Sequence, residues 1–209
     1  MGEFTDKRNE LLSEKIIKGL KSRNIDGYYA KTAEEAKEIA LGLIEEGSNV
    51  TMGGGMSVHE TGIVEALKTG NYNFIDRDEM DDRRSAALLA YDCDAFLASC
   101  NAITEDGVLV NIDGNANRVS AIAYGPKKVI FIVGMNKVCV DVDSAMKRAR
   151  NVAAPINAQR FNINTPCKKT GSCMNCSSPD SICCQFLITR RSLHPGRMHV
   201  ILVNENLGF

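Results

Sequence analysis

From Lys7 to Val152, short apolar runs with strand character alternate with amphipathic runs of helical period, and this alternation constrains the fold most. Leu11, Leu12, Ile16 and Leu20 share one face of a helix over Lys7–Lys21, and Gly27–Ala30 reads as a strand. Thr32 with Glu35 forms a capping box for a helix carrying Ala36, Ile39, Ala40, Leu43 and Ile44, closed by Gly47. Asn49–Met52 is a strand that runs into Gly53-Gly54-Gly55. Ser57 with Glu60 reads as a second capping box, for a helix holding Ile63, Val64 and Leu67 that stops at Gly70. A strand is expected at Phe74–Asp76, a helix at Asp82–Tyr91 and a strand at Ala95–Ala98. Ala102–Thr104 and Val108–Asn111 flank Glu105-Asp106-Gly107, which has hairpin-turn chemistry. A helix follows at Val119–Tyr124, and Val129–Val133 is apolar at every position, as in a strand buried on both faces. A helix over Asp143–Val152 ends at Pro155, and Val200–Val203 is the last strand. This order predicts an α/β fold: an open, mostly parallel sheet with helices on both faces.

The 209 residues fit a single domain, 1–209, with the N-terminal helix inside 1–24 and a Cys-rich loop or small lobe inserted at 157–185. Lys plus Arg number 25 against 26 Asp plus Glu, a net charge of −1, which argues against a nucleic-acid or acidic-membrane partner. No apolar run approaches the roughly 20 residues that cross a bilayer. The start, Met1–Asp6, is polar and acidic, unlike a secretory signal, and Gly2 lacks the Ser or Thr at position 6 that myristoylation needs. The expected location is the cytoplasm, and the oligomeric state stays open.

Eight cysteines need an explanation. Cys93, Cys100 and Cys139 lie among apolar residues and read as core thiols. The other five form Cys167-x5-Cys173-x2-Cys176-x6-Cys183, followed directly by Cys184. In a reducing compartment such a cluster reads as metal-binding or redox-active before it reads as disulfides. Cys167, Cys173, Cys176 and Cys183 could supply four thiolates to an iron–sulfur cluster or to zinc, with a redox dithiol and unliganded thiols as the alternatives.

Two further segments carry candidate chemistry. Gly53, Gly54, Gly55, Met56 and Ser57 join a strand to a helix start, where backbone amides and the helix dipole suit a phosphate or carboxylate. No Lys follows as in a Walker loop, and the third glycine of the dinucleotide fingerprint is missing. The alternative is a tight turn with no ligand. The second segment, Asn101 to Gly107, places Thr104 and Glu105 after a buried strand, and the carboxyl ends of parallel strands face the ligand crevice. Glu105 there could act as base or nucleophile, or be a solvated hairpin tip. Asn117 and Arg118 follow, and Arg118 could grip a carboxylate with two hydrogen bonds or be an exposed arginine at a helix start. His59 could reach the glycine segment but reads first as a partly exposed helix histidine, and His194 and His199 read as surface residues.

GGGMSVHETG at Gly53–Gly62, EDGVLV at Glu105–Val110 and NRVSAIA at Asn117–Ala123 carry a resemblance, as do GPKKV at 125–129, GMNK at 134–137, AAPIN at 153–157 and the final Asn206–Phe209. Over Lys15–Phe209 the chain resembles the LUD, or lactate utilization, domain family, and within it the lactate utilization protein C branch. The resemblance implies the fold of glucosamine-6-phosphate isomerase, ribose-5-phosphate isomerase and the CoA transferases. In that group a glycine-rich loop binds phosphate or acyl acceptor, the position matched by Gly53–Ser57. CoA transferases carry a nucleophilic glutamate in a Glu-Asn-Gly turn; here the turn is Glu105-Asp106-Gly107. The family name implies an accessory role in oxidising L-lactate beside iron–sulfur partner proteins, with a small anionic metabolite as ligand. The alternatives are an acyl-CoA transferase or sugar-phosphate enzyme using Glu105, and a ligand-sensing module without chemistry.

Overall fold

A computed structural model describes residues 2–209, with the side chain of Arg83 left out; Met1, the first residue of the 1–24 segment, lies outside it. The helices are α1 (Glu3–Ser22), α2 (Ala33–Gly42), α3 (Met56–His59), α4 (Ile63–Thr69), α5 (Arg83–Leu89), α6 (Asn117–Ala123), α7 (Val142–Arg148), α8 (Ala154–Ala158) and α9 (Pro166–Thr170). The strands are β1 (Asp26–Ala30), β2 (Asn49–Met52), β3 (Asn73–Phe74), β4 (Ala95–Ala98), β5 (Ala102–Thr104), β6 (Leu109–Asp113), β7 (Lys128–Gly134), β8 (Val138–Cys139), β9 (Gln185–Thr189) and β10 (Met198–Val203).

Six strands form one parallel sheet in the order β1-β10-β7-β4-β2-β3. Alternate side chains of its central strands enter two separate cores. Phe96, Val129, Phe131 and Val133 face α1 through Ile16 and Leu20, and α6 through Ala121 and Ile122. Leu97, Ile130 and Ile132 face α2 and α4 through Ala36, Ala40, Ile63 and Leu67. Burial on both faces is what the unbroken apolar run at Val129–Val133 predicts, at about 1.5–3 kcal/mol for each large side chain.

A second sheet, β8-β5-β6-β9, lies beside the first. The expected hairpin is its β5–β6 pair, with Ile103 opposite Leu109. The other two strands carry no clear sequence signal: β8 has two residues, and β9 follows the cysteine segment and alternates exposed Phe186 and Ile188 with less exposed neighbours. Ala102, Val110 and Ile112 of this sheet pack on Ala145 and Ala149.

Several local expectations change. Thr32 caps α2 as read, accepting from the Glu35 amide at 3.2 Å. Ser57 and Glu60 do not form a capping box: α3 starts from Gly55 without a side-chain cap and is a single turn, and α4 restarts from Gly62 in the left-handed region. Ser57 Oγ donates instead to Leu207 O at 3.1 Å, and Glu60 Oε2 accepts from the Gly208 amide at 2.6 Å. Pro155 does not end its helix; a π turn over Ala149–Ala153 links α7 to α8, and this wider turn accommodates a residue that has no N–H to donate. His199 lies inside β10 and is buried, with Nε2 2.9 Å from Gly196 O and Nδ1 3.6 Å from Asp26. No helix is long and apolar enough to cross a membrane among the described residues.

Candidate functional site

β2, β4 and β7 are neighbours in the sheet, and the chain leaving their carboxyl ends builds one cleft with a cavity volume of about 420 Å³. From β2 come Gly53, Gly54, Gly55, Met56 and Ser57; from β4, Ser99, Cys100 and Asn101; from β7, Lys137. Asp113, the last residue of β6, and Asn117 and Arg118 just after it line a wall, and Arg77 and Arg160 are also in the lining. Ile163 and Ile182 bring the cysteine segment against the opening, and Phe209 adds the last residue of the chain.

Lys137 is the chemical centre of this cleft, and the sequence reading missed it. It is 4% exposed. Its Nζ lies 2.9 Å from Ser57 Oγ, 3.3 Å from Ser99 Oγ and 3.3 Å from Cys100 O, so three oxygens accept its three ammonium hydrogens. Burial lowers its pKa to about 8, with Arg148 and Arg118 adding to the effect while Cys100 and Glu60 oppose it. The available signal was position: a lysine three residues past a fully apolar strand, at the ligand-facing end of a parallel sheet. Burial likewise pushes the Cys100 thiol up to about 11.

Arg118 is in the cleft wall, but its donors serve the protein. Nη1 donates to Asn111 Oδ1 at 3.0 Å and Ser99 O at 3.3 Å, and Nη2 to Ile112 O at 2.6 Å and Asn101 Oδ1 at 3.3 Å. Nε lies 3.6 Å from Asp113. The guanidinium is therefore a strut tying β6 to the end of β4, and it gives the cleft charge rather than a two-pronged carboxylate grip. Gly53 allows its approach: a Cβ there would lie 2.9 Å from Arg118 Cγ.

The glycine segment, Asn101, Asn117 and Arg118 come together as expected, whereas Glu105, Thr104 and Gly107 do not join them in the cleft lining. Their hairpin turn docks on α1. Glu105 pairs with Lys15 at 2.6 Å, Thr104 Oγ1 accepts from Val108 N at 2.8 Å, and Asp106 pairs with Arg23. Gly107, at φ +87, sits so close that a Cβ would lie 2.7 Å from Leu20 N. Glu60 also lies outside the lining, held by Gly208. The helix-dipole argument for the glycine segment weakens, because α3 has only four residues. The donors remaining there are loop amides: Gly53 N donates to Leu97 O, while the Gly54 and Gly55 amides have no acceptor among the described residues.

The cysteine segment lies along the cleft rather than inside it. Cys183 is half-buried against Ile112 and Ala145. Burial, and then the nearby thiols of Cys167, Cys173, Cys176 and Cys184, raise its pKa to about 11. Arg150 reaches Cys173 Sγ at 3.9 Å. Among the described residues no three His, Cys, Asp or Glu side chains close on one metal ion.

The LUD domain model matches residues 13–203 of this chain. A solved structure, that of a DUF162 family protein from Deinococcus radiodurans, superposes with a TM-score of 0.56 at 14% identity, covering 94% of this chain and 98% of that one. That likeness shows the shared fold. No curated protein matches the chain. A family model spanning almost the whole chain, over a parallel sheet with helices on both faces, shows that the chain belongs to the LUD domain family.

Proposed function

We propose that this LUD protein binds a small anionic metabolite, a carboxylate or phosphate, at the base of the cleft, as an accessory component of L-lactate oxidation or related organic-acid metabolism. Membership of the LUD family supports the lactate-related role. The observation that carries the ligand class is the buried Lys137 ammonium, in a lining that holds Arg77, Arg118, Lys137 and Arg160 against Asp78 and Asp113. A positive balance in a narrow cleft concentrates anions. Gly54 and Gly55 supply amides, and Ser57, Ser99, Asn101 and Asn117 supply neutral polar groups. Acyl-CoA transfer or sugar-phosphate chemistry through Glu105 has no geometric support, since that carboxylate pairs with Lys15 on α1. Titration calorimetry with lactate, pyruvate, inorganic phosphate and an acyl-CoA tests the reading. One of the small anions should bind one to one and raise the melting temperature; no binding by any of them at millimolar concentration contradicts it.

A second reading concerns the thiols. The thiols of Cys167, Cys173 and Cys176 all lie near Cys183, and this gathering of four thiols supports an iron–sulfur cluster, with zinc as the alternative. Such a cluster would supply electron transfer beside the cleft and to iron–sulfur partner proteins. Iron and acid-labile sulfide in anaerobically purified protein support it, and protein free of both metals and sulfide contradicts it.

A further inference from the structure

The geometry points to Lys137 as an amine nucleophile that forms an imine with the carbonyl group of a small anionic aldehyde or ketone held in the cleft. This rests on the anion-binding reading above and adds a reaction to it.

Three observations carry the inference. The first is placement. Lys137 comes off the carboxyl end of β7, a central strand of the parallel sheet buried from Val129 to Gly134, and its Nζ is held by Ser57 Oγ and Ser99 Oγ, which come from the ends of β2 and β4. Three adjacent strand ends deliver an amine and two hydroxyls to one point. The second is access. All three residues line the cleft, but Ser57 is fully enclosed and directs its hydroxyl to Leu207 O, whereas Lys137 and Ser99 each keep 4% exposure. An acyl-transfer reading with Ser57 as nucleophile is disfavoured on that ground, and the amine is the reactive group within reach. The third is the environment. Among the described residues no carboxylate hydrogen-bonds Lys137; Arg118 and Arg148 stand near it, with Glu60 as the opposing charge. A desolvated lysine gives up its proton more readily than a solvated one: with the pKa lowered to about 8, roughly a tenth of the Lys137 side chain is the neutral amine at pH 7, and that form makes the nucleophilic attack.

The step balances without an oxidant or reductant. The Nζ lone pair forms a bond to the carbonyl carbon while the carbonyl π pair moves to oxygen. A proton passes from nitrogen to that oxygen, with the Ser99 hydroxyl in position to relay it. A second nitrogen-to-oxygen proton transfer then releases the oxygen as water, and the nitrogen lone pair closes the carbon–nitrogen double bond. The anionic group of the substrate is held by the cleft that Arg77 and the Gly54 and Gly55 amides line. A carboxylate and a phosphate would both satisfy it.

Borohydride trapping with mass spectrometry tests this on the full chain. Pyruvate is the carboxylate probe, dihydroxyacetone phosphate the phosphate probe, and acetone the uncharged control. The expected result is one reduced adduct per chain on the peptide holding Lys137 with at least one anionic probe, and none at that site with acetone. Lys137→Arg should abolish the adduct, while Ser99→Ala should keep it but slow its formation by at least about tenfold. In the wild-type protein, an adduct spread over surface lysines, or none with either anionic probe, overturns the inference. Calorimetry with the same probes separates the two levels: binding without an adduct overturns only the imine, and no binding overturns the anion site as well.

Discussion

Lys137 Nζ stands 2.9 Å from Ser57 Oγ, a contact that joins the carboxyl ends of β7 and β2 inside the protein. The ammonium form attracts an anion and the amine form does not. Because burial lowers the Lys137 pKa to about 8, anion affinity should fall as pH rises through about 8. A binding isotherm for pyruvate, whose charge is the same at pH 7 and pH 9, checks this; equal affinity at both would place the anion away from Lys137.

Arg118 should matter for stability more than for ligand contact. Arg118→Ala strips the Asn111, Asn101, Ser99 and Ile112 oxygens of a shared donor and leaves Asp113 without its cation. Breaking such a buried arrangement costs about 3–5 kcal/mol. Urea denaturation should show that loss, whereas an unchanged midpoint with lost anion binding would make Arg118 a ligand clamp instead.

The hairpin turn should behave as a structural dock. Glu105→Gln removes one ion pair whose Lys15 side chain is 62% exposed, so the stability change should stay within about 1 kcal/mol, with anion binding unchanged. Gly107→Ala forces a left-handed residue against Leu20 and should cost more, at least about 1–2 kcal/mol. Thermal melts of the two variants should differ in that order. Loss of binding in Glu105→Gln would return the turn to the site.

His199 links stability to mild acid. Burial lowers its pKa below the ordinary 6.5, with the Gly196 carbonyl and Asp26 acting in the opposite direction. The unfolded chain therefore takes up a proton before the folded one does, so the contribution is present above about pH 6.5 and is lost as pH falls through the folded-state value. Denaturation midpoints between pH 7.5 and 5 should decline less steeply in His199→Gln than in the wild-type protein.

The parallel sheet was legible because burial on both faces leaves a plain mark: Val129–Val133 is apolar throughout, and the Thr32–Glu35 cap opens a helix by chemistry that acts locally, although that helix ends at Gly42 and not at the expected Gly47. The glycine segment, Asn101, Asn117 and Arg118 were readable as neighbours around one cleft because each follows the end of a strand. What failed depends on distant partners. Ser57 and Glu60 have the spacing of a cap, yet Leu207 and Gly208, about 150 residues on, take their side chains. Glu105 has the look of a reactive turn, and only the packing of Gly107 against α1 shows what the turn does. Lys137 is one of many lysines in the sequence, and its burial comes from three strand ends that meet only in the folded chain. β8 has only two residues, too few for period-two patterning to register, and β9 turns apolar Phe186 and Ile188 outward, so its sequence lacks the polar alternation of a half-exposed strand.

The central claim, that a small anion binds against Lys137, is tested most directly by calorimetric titration of the best-binding anion into wild-type protein and Lys137→Met, after circular dichroism has shown both to be folded. The account predicts one-to-one binding in the wild type and a loss of at least about tenfold in affinity, roughly 1.4 kcal/mol, in the variant. Equal affinity in the two proteins would contradict it.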